Sequence, residues 1–495
     1  MRCVTVTAAA LATFLFCSLS PHTGLAGQDS VQKAPRLLKV VVLSRHGVRP
    51  PTQSPETLAA WSLRSWPVWN TAPGNLTERG SSLIQAEWSD IRQSLAFDDL
   101  LPASECPDSN SVFIYADNEE RTLATAEAML EGLAPGCGMK VTSGREKYDP
   151  VFHPVKNGLM STPSLSDQER RALSDELSSV QADMDRRIAE LSTLLGPSPA
   201  ALCGPGQSPC TLSDMPTTLH FPKKGSHEPI ALRGGLALAS TTAEILLLES
   251  LEWPERSQSI AADIPVTMPR EPGTPVEQKA RQIILAPQSD KPGVTPLPFR
   301  PRWRPASVAA DGDIMVNPST AFHLLPVHTR VQGALQRFPA VARQEGLPLL
   351  LLMAEALAGT SPFPDANRAK LVVFSGHDTN IVNIAGLLDL HWTNTPFPKD
   401  STPPGSMLVF RLWETPQGNM VQASFQCQTP AAFLSTDTAV MSSASLRRQA
   451  LILPGSFAET PAGPGLPLHT FLSSVRTMAG EKLDARLNAV LAPAP

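Results

Sequence analysis

The chain has 495 residues, with 41 lysines and arginines against 46 aspartates and glutamates, for a formal net charge of −5. That length leaves room for large cores and two domains, and the slight acidity provides no general basic surface, so nucleic acid is not an implied partner. Beyond the N-terminal segment no apolar run approaches the roughly 20 residues of a membrane span, so no membrane partner is expected of the mature chain.

Met1–Ala26 reads as a cleaved signal peptide. Arg2 is the positive start, Val4–Leu19 the apolar stretch, and Gly24-Leu25-Ala26 a small-x-small cleavage site. Cys17 follows the bulky Phe16, which argues against a lipoprotein cysteine. The expectation is an exported protein, periplasmic or secreted. After cleavage Cys106, Cys137, Cys203, Cys210 and Cys427 remain. Cys203 and Cys210 are spaced for a small disulfide ring, Cys106 and Cys137 for a longer one, leaving Cys427 free. None of these spacings is a zinc pattern.

Val40 opens an apolar, β-branched run that reads as a buried strand. It ends in Arg45-His46-Gly47-Val48-Arg49, and Pro50-Pro51 keeps a helix from following directly. An imidazole delivered between two guanidiniums, with a glycine permitting close backbone approach, is a candidate anion site holding a nucleophile. Trp61–Trp69 carries three tryptophans and reads as packing. Pro73-Gly74-Asn75-Leu76-Thr77 is a turn with Thr77 as N-cap, before a helix whose apolar face is Leu83, Ile84, Trp88, Ile91 and Leu95. Ser111–Ala116 is a second strand, followed by Asp117-Asn118-Glu119-Glu120-Arg121-Thr122 and a helix to about Leu133. Arg121 therefore falls in a first helical turn, where the helix dipole disfavours a cation, so its placement asks for a reason.

From Asp149 to about Ala358 the pattern is mostly helical and reads as an insertion. Ser166 and Glu169 make a capping box, and Leu173, Leu177, Val180, Met184, Ile188 and Leu191 recur at helical spacing up to Gly196-Pro197. Arg233–Leu251 is another helical run. Pro254–Pro305 holds eleven prolines and reads as a long loop or linker, with Arg300-Pro301-Arg302-Trp303-Arg304 as a solvated basic patch. Sheet character returns at Lys370–Phe374, ending in Ser375-Gly376-His377-Asp378-Thr379-Asn380 ahead of a helix-like Ile381–Leu390. Met407–Trp413 and Met420–Phe425 read as a hairpin around Pro416-Gln417-Gly418-Asn419. The Ala/Ser/Pro-rich tail beyond Gln428 gives no clear pattern.

Three strands thus end in polar residues: Arg45, His46 and Arg49; Arg121 one helical turn on; His377 and Asp378. Open α/β sheets bind ligands beyond the carboxyl ends of their strands. If the three strands are neighbours, three arginines, two histidines and one carboxylic acid converge. That inventory suits metal-free phosphoryl transfer, because guanidinium forks match phosphate oxygens and keep their charge. Neighbouring cations favour the neutral imidazole, leaving His46 nucleophilic in mild acid, and Asp378 is the acid positioned to protonate a leaving oxygen. A metallohydrolase motif is missing: His323 and His328 are five apart, and no His-Glu-x-x-His occurs. Neither a Gly-rich P-loop nor a Gly-x-Ser-x-Gly elbow occurs.

Arg45-His46-Gly47-Val48-Arg49-Pro50-Pro51-Thr52 with Gly376-His377-Asp378-Thr379-Asn380 resembles the histidine acid phosphatases, clade 2 of the histidine phosphatase superfamily. More narrowly it looks like their bacterial periplasmic branch, which contains phytase and glucose-1-phosphatase. Pro73-Gly74-x-Leu76-Thr77-x-x-Gly80, Glu120-Arg121-Thr122, Asp149-Pro150-x-Phe152-x-Pro154 and Thr402-Pro403-Pro404-Gly405 carry the same resemblance across most of 36–430. It implies an α/β fold, a central mixed sheet flanked by helices (phosphoglycerate-mutase-like) with a mostly helical second domain inserted. The catalytic domain would be 36–148 and 359–430, extending to about 495, and the insert 149–358. It implies that His46 becomes a phosphohistidine, that Arg45, Arg49, Thr52, Arg121 and His377 hold the phosphoryl oxygens, and that Asp378 protonates the departing alkoxide. The expected partner is a small-molecule phosphate monoester, with no metal and no cofactor. Three departures from the family pattern matter: Gln53 replaces a frequent phytase lysine, which weakens the case for phytate, Pro254–Pro305 is longer than the corresponding family segment and lies near the expected substrate side, and the usual C-terminal cysteine pair is missing, which leaves Cys427 unmatched. Two alternatives use the same residues. A phosphotransferase or mutase would pass the phosphoryl group from His46 to another hydroxyl, and a non-catalytic phosphate-ester binding protein would hold it without turnover.

Overall fold

The computed structural model describes residues 34–62, 64–198, 202–203, 210–223, 225–254, 316–435 and 446–491. The expected signal peptide, almost all of 254–305 and the Arg300–Arg304 cluster lie outside these residues.

The first strand, β1 (Arg36–Arg45), is the middle of the sheet. After it come α1 (Pro55–Trp61), α2 (Glu78–Phe97), β2 (Val112–Ala116), α3 (Glu120–Leu133) and the two-residue β3 (Thr142–Ser143). Helix α2 starts where expected, with Thr77 Oγ1 accepting from Gly80 N at 2.9 Å. The next segment holds α4 (Pro154–Asn157), α5 (Asp167–Leu195), β4 (Thr218–His220), β5 (Ala231–Arg233), α6 (Gly235–Glu252), α7 (Pro318–Leu324), α8 (Pro326–Gln336) and α9 (Pro339–Ala358). The Ser166–Glu169 capping box forms at the start of α5. The β4–β5 hairpin is the one piece of sheet described in this segment, and three residues per strand are too few to write a readable alternation.

Then follow α10 (Pro364–Arg368), β6 (Leu371–Gly376), α11 (Asp378–Leu387) and the long hairpin β7 (Met407–Thr415) and β8 (Gly418–Gln428). The C-terminal part supplies α12 (Pro430–Leu434), β9 (Leu446–Leu451), β10 (Ala458–Thr460), β11 (Gly463–Pro467), α13 (Leu468–Ala479) and α14 (Glu481–Leu491). Nine described strands form one mixed sheet in the order β10-β11-β8-β7-β1-β6-β2-β3, with β9 also pairing β8. β1, β6, β2 and β3 are parallel, while β7 runs antiparallel to β1.

Both faces of the sheet are buried, which is why its parallel strands read as unbroken apolar runs. Side chains alternate across the sheet. Val41, Leu43, Phe113, Tyr115, Val372, Phe374, Leu408 and Phe410 share one core with Leu347–Leu357 of α9, Ile381 and Ile384 of α11, and Phe471 and Val475 of α13. Val40, Val42, Ile114, Val373 and Val409 point the other way and meet Ile84, Trp88, Ile91 and Leu95 of α2 and Met129 and Leu133 of α3. A separate core joins α5, α6, α7 and α8 through Leu173, Val180, Ile188, Leu236, Leu246, Val327 and Val331. Helix α9, read from sequence as the end of the insertion, thus packs against the sheet layer.

Cys106–Cys137 and Cys203–Cys210 form disulfides, and Cys427 is buried and free. No described helix is long and apolar enough to cross a membrane.

Candidate active site

The parallel register carries β1, β6 and β2 to a common end: Arg45 faces Gly376, and Ala116 faces Ser375. The polar residues that follow these strands therefore meet in one crevice. His46 N donates to Gly376 O at 3.0 Å, and Gly405 N donates to His46 O at 3.0 Å. Helix α2 packs directly behind. A Cβ on Gly80 would fall 2.4 Å from Val48 O, so only glycine permits this approach.

His46 is 2% exposed. Its Nδ1 lies 2.9 Å from Gly47 O, and since a carbonyl only accepts, Nδ1 carries the proton. Nε2 is left with its lone pair, approached by Arg49 Nε at 3.5 Å. Burial first, then Arg49, Arg45, Arg121 and His377, hold the imidazole well below its ordinary 6.5.

Three guanidiniums surround it. Arg45 donates to Thr402 O and Glu244 Oε1, and its Nη2 lies 3.2 Å from Asp378 Oδ2. Arg49 donates to Pro50 O at 3.1 Å and approaches Glu244 Oε1 at 3.5 Å. Arg121 is paired with Glu119, the N-cap of α3, while Glu120 Oε2 accepts from Leu76 N at 2.9 Å. These two carboxylates offset the cation at the helix start. Arg45 Nε and Arg121 Nε are buried without a hydrogen-bond partner among the described residues, two donors available to an entering anion.

His377, the N-cap of α11, puts Nε2 2.6 Å from Asp117 Oδ2, and His153 Nε2 lies 2.8 Å from the same oxygen. Burial opposes ionisation of Asp117, but hydrogen bonds from His153 and His377 outweigh it and hold the carboxyl well below its usual range. Burial likewise opposes ionisation of Asp378, and Arg45, His328 and Arg49 reverse that to keep it strongly acidic. Asp378 Oδ1 also accepts from Thr379 N at 2.7 Å.

The structure brings Arg45, His46, Arg49, Arg121, His377 and Asp378 together. Thr52 is exposed, beyond the buried set. A Cβ on Gly74 would lie 3.4 Å from Thr52 Cγ2 and 3.9 Å from Arg121 Nη1, so the 73–77 turn connects Thr52 to the guanidinium's flank. His323 is remote and binds Glu190 at 2.8 Å.

Four residues at the site had been given no role from sequence. Glu244 of α6 and His328 of α8 join Asp378, with ligand atoms all within 4.8 Å of one another. Asp117 and His153 complete the surroundings of His377. One signal was available: Glu244 directly precedes Ile245, Leu246, Leu247 and Leu248 in a helix that also carries Glu249 and Glu252, and a buried carboxylate on so apolar a helix would be costly without a partner.

A profile described as Histidine phosphatase superfamily (branch 2) matches residues 36–194 and 333–426. Phytase AppA of Escherichia coli is 30% identical over 425 residues, 84% of this chain and 85% of that protein. A glucose-1-phosphatase of Salmonella typhimurium is 25% identical over 388 residues, 78% of each chain. The structure of Hafnia alvei phytase in complex with myo-inositol hexakis sulphate superposes with a TM-score of 0.66 at 29% identity, covering 91% of this chain and 99% of that one.

Proposed function

The chain belongs to branch 2 of the histidine phosphatase superfamily and is a phosphoric monoester hydrolase; from that premise we propose that it works in two steps through a phosphohistidine on His46. The observation that carries this reading is the state of His46: Nδ1 is committed to Gly47 O, and Nε2 is open among three guanidiniums. In the first step Nε2 attacks phosphorus, the ester P–O bond breaks, and the departing oxygen takes its electron pair and a proton from Asp378. In the second step water attacks the phosphohistidine and gives its proton to Asp378, and the P–N bond breaks to restore His46. Arg45, Arg49, Arg121 and His377 would hold the phosphoryl oxygens, with Thr52 assisting from the rim.

Arg45, His328 and Arg49 outweigh burial and favour the ionised Asp378, so in this reading its proton comes with the substrate. A phosphate monoester monoanion supplies both parts: negative charge to occupy the guanidiniums and a proton for the carboxylate they release. Acidic conditions favour that species. We therefore read the enzyme as an acid phosphatase.

The names of the relatives make inositol phosphates and sugar phosphates the first substrates to try. Export is supported by the Met1–Ala26 pattern and by two disulfides, which persist in oxidising compartments. The proposed division into a catalytic domain (36–148 and 359 onward) and an insert (149–358) has support in the separate core of α5, α6, α7 and α8, whereas α9 at the insert's end packs with the sheet; the insert's Glu244 and His328 would complete the cleft.

The test is hydrolysis of p-nitrophenyl phosphate, glucose-1-phosphate and phytate between pH 4 and 6, with His46→Ala alongside. The wild type should release phosphate and take up label covalently from a labelled ester; the variant should do neither. Label on the variant would exclude His46 as nucleophile.

A further inference from the structure

Asp117, Glu119, His153 and His377 come from three places in the chain and face one another beside the phosphate clamp. Asp117 Oδ2 accepts from His377 Nε2 at 2.6 Å and from His153 Nε2 at 2.8 Å, and Glu119 Oε1 lies 3.8 Å from the same His153 nitrogen. The two imidazole rings are tilted with centroids 5.1 Å apart. One donor atom from each of the four residues falls within 4.8 Å of every other. Two imidazoles and two carboxylates are a donor set suited to zinc and similar borderline divalent cations. Metal–ligand bonds of 2.0–2.2 Å place tetrahedral donors about 3.3 Å apart. The separations of 2.6, 2.8 and 3.8 Å bracket that value.

We propose that Asp117, Glu119, His153 and His377 form an inhibitory binding site for a zinc-like divalent cation. Binding takes the place of the two Nε2 protons that point at Asp117; each moves to Nδ1 of its own ring, so both imidazoles coordinate as neutral ligands through Nε2. It takes His377 out of the phosphate clamp and draws Glu119 away from Arg121. In the neighbouring trio Glu244, His328 and Asp378 both carboxylates lie against Arg45 or Arg49, whereas in the quartet a guanidinium meets Glu119 alone, so the quartet is the better site for the cation. Asp117, by contrast, is fully buried with the two imidazoles as its side-chain partners. Binding itself is independent of the phosphatase reading, whereas the inhibition rests on it.

Equilibrium dialysis of the metal-free full-length protein against Zn²⁺ should give one tightly held cation per chain. Co²⁺ in its place should give the visible absorption of a tetrahedral site. His153→Gln should weaken Zn²⁺ binding at least about tenfold and abolish the Co²⁺ band. Glu119→Gln keeps the size of a partly exposed side chain that makes no cap hydrogen bond to α3, and it should weaken binding as well; an unchanged Tm and far-UV circular dichroism in this variant separate loss of ligand from loss of fold. Saturating inorganic phosphate should compete with Zn²⁺. The zinc inhibition constant for p-nitrophenyl phosphate hydrolysis should rise in His153→Gln by the same factor as the dissociation constant. An unchanged Co²⁺ spectrum in both variants, or no stoichiometric binding to the wild type, overturns the proposal. Stoichiometric binding to a protein that hydrolyses no phosphate ester leaves the site standing and refutes the phosphatase reading instead.

Discussion

Arg45 Nη2 and Asp378 Oδ2 lie 3.2 Å apart, joining the end of β1 to the first residue after the neighbouring strand's histidine. The guanidinium proposed to bind substrate charge is also the foremost of the groups that, against burial, favour the ionised form of the proposed proton donor. Phosphate binding and proton loading are thereby tied together.

That coupling predicts a leaving-group effect. Asp378→Asn should slow alkyl phosphates such as glucose-1-phosphate by about 10²–10⁴-fold. It should slow p-nitrophenyl phosphate far less, because nitrophenolate departs without protonation. Equal losses on both substrates, measured as kcat/KM, would show that Asp378 positions rather than protonates.

His46 sets a second expectation, on pH. Burial and Arg49 are the two foremost reasons its imidazole stays well below 6.5. Attack requires the neutral ring, so kcat/KM should not fall from imidazole protonation as pH drops through 6.5. Arg49→Gln removes one repelling charge, which raises the imidazole value and should move the acid limb of kcat/KM upward toward 6.5. Comparing the two proteins on one substrate cancels the substrate's own ionisation. An unmoved limb, with only the rate reduced, would assign the limb to another group.

How much of this was legible before the fold was known follows from what each residue needs. Arg45, His46, His377 and Asp378 stand where apolar β-branched runs stop, and the end of a strand is written locally. Glu244 and His328 reach the site only because α6 and α8 pack beside the sheet, a tertiary fact with no local trace except glutamates set among the leucines of α6. Asp117 and His153 sit in stretches marked by turns, and neither announces that its partner is the other. The tail failed for a different reason. β11 is Gly463-Pro464-Gly465-Leu466-Pro467, too rich in glycine and proline to read as a strand, and it meets β8 at just two positions, Val421 and Met420, while its other side pairs with the three-residue β10.

Glu87 gives a stability prediction with a definite sign. Both its carboxylate oxygens are buried without a hydrogen-bond partner among the described residues, and burial, then Asp90, raise it well above 4.5. Between its unfolded and folded values the native chain holds one more proton than the unfolded chain. Stability therefore falls as pH rises through that interval, by up to about 1.4 kcal/mol per pH unit. Glu87→Gln removes this proton, so the slope of Tm between pH 5 and pH 8 should flatten relative to wild type. A slope unchanged by the substitution would place the proton elsewhere.

The two disulfides should contribute unequally. Cys106–Cys137 closes a separation of 31 residues and Cys203–Cys210 one of 7. Loop-closure entropy puts their contributions at about 3.7 and about 2.4 kcal/mol. Replacing the first pair by serines should therefore lower the denaturation midpoint in guanidinium more than replacing the second. The reverse order would mean that the shorter loop anchors structure beyond its own ring.

The register of the central strands bears on how the enzyme comes into being. Val40 pairs with Leu371, and the whole helical segment and the α2–α3 layer lie between them in sequence. No nascent fragment lacking β6 contains His377 or Asp378, and closing so long a loop is a slow, late event in folding. Catalytic competence should thus lag behind helix formation during refolding, and a chain still being synthesised would carry the proposed nucleophile without the proposed acid.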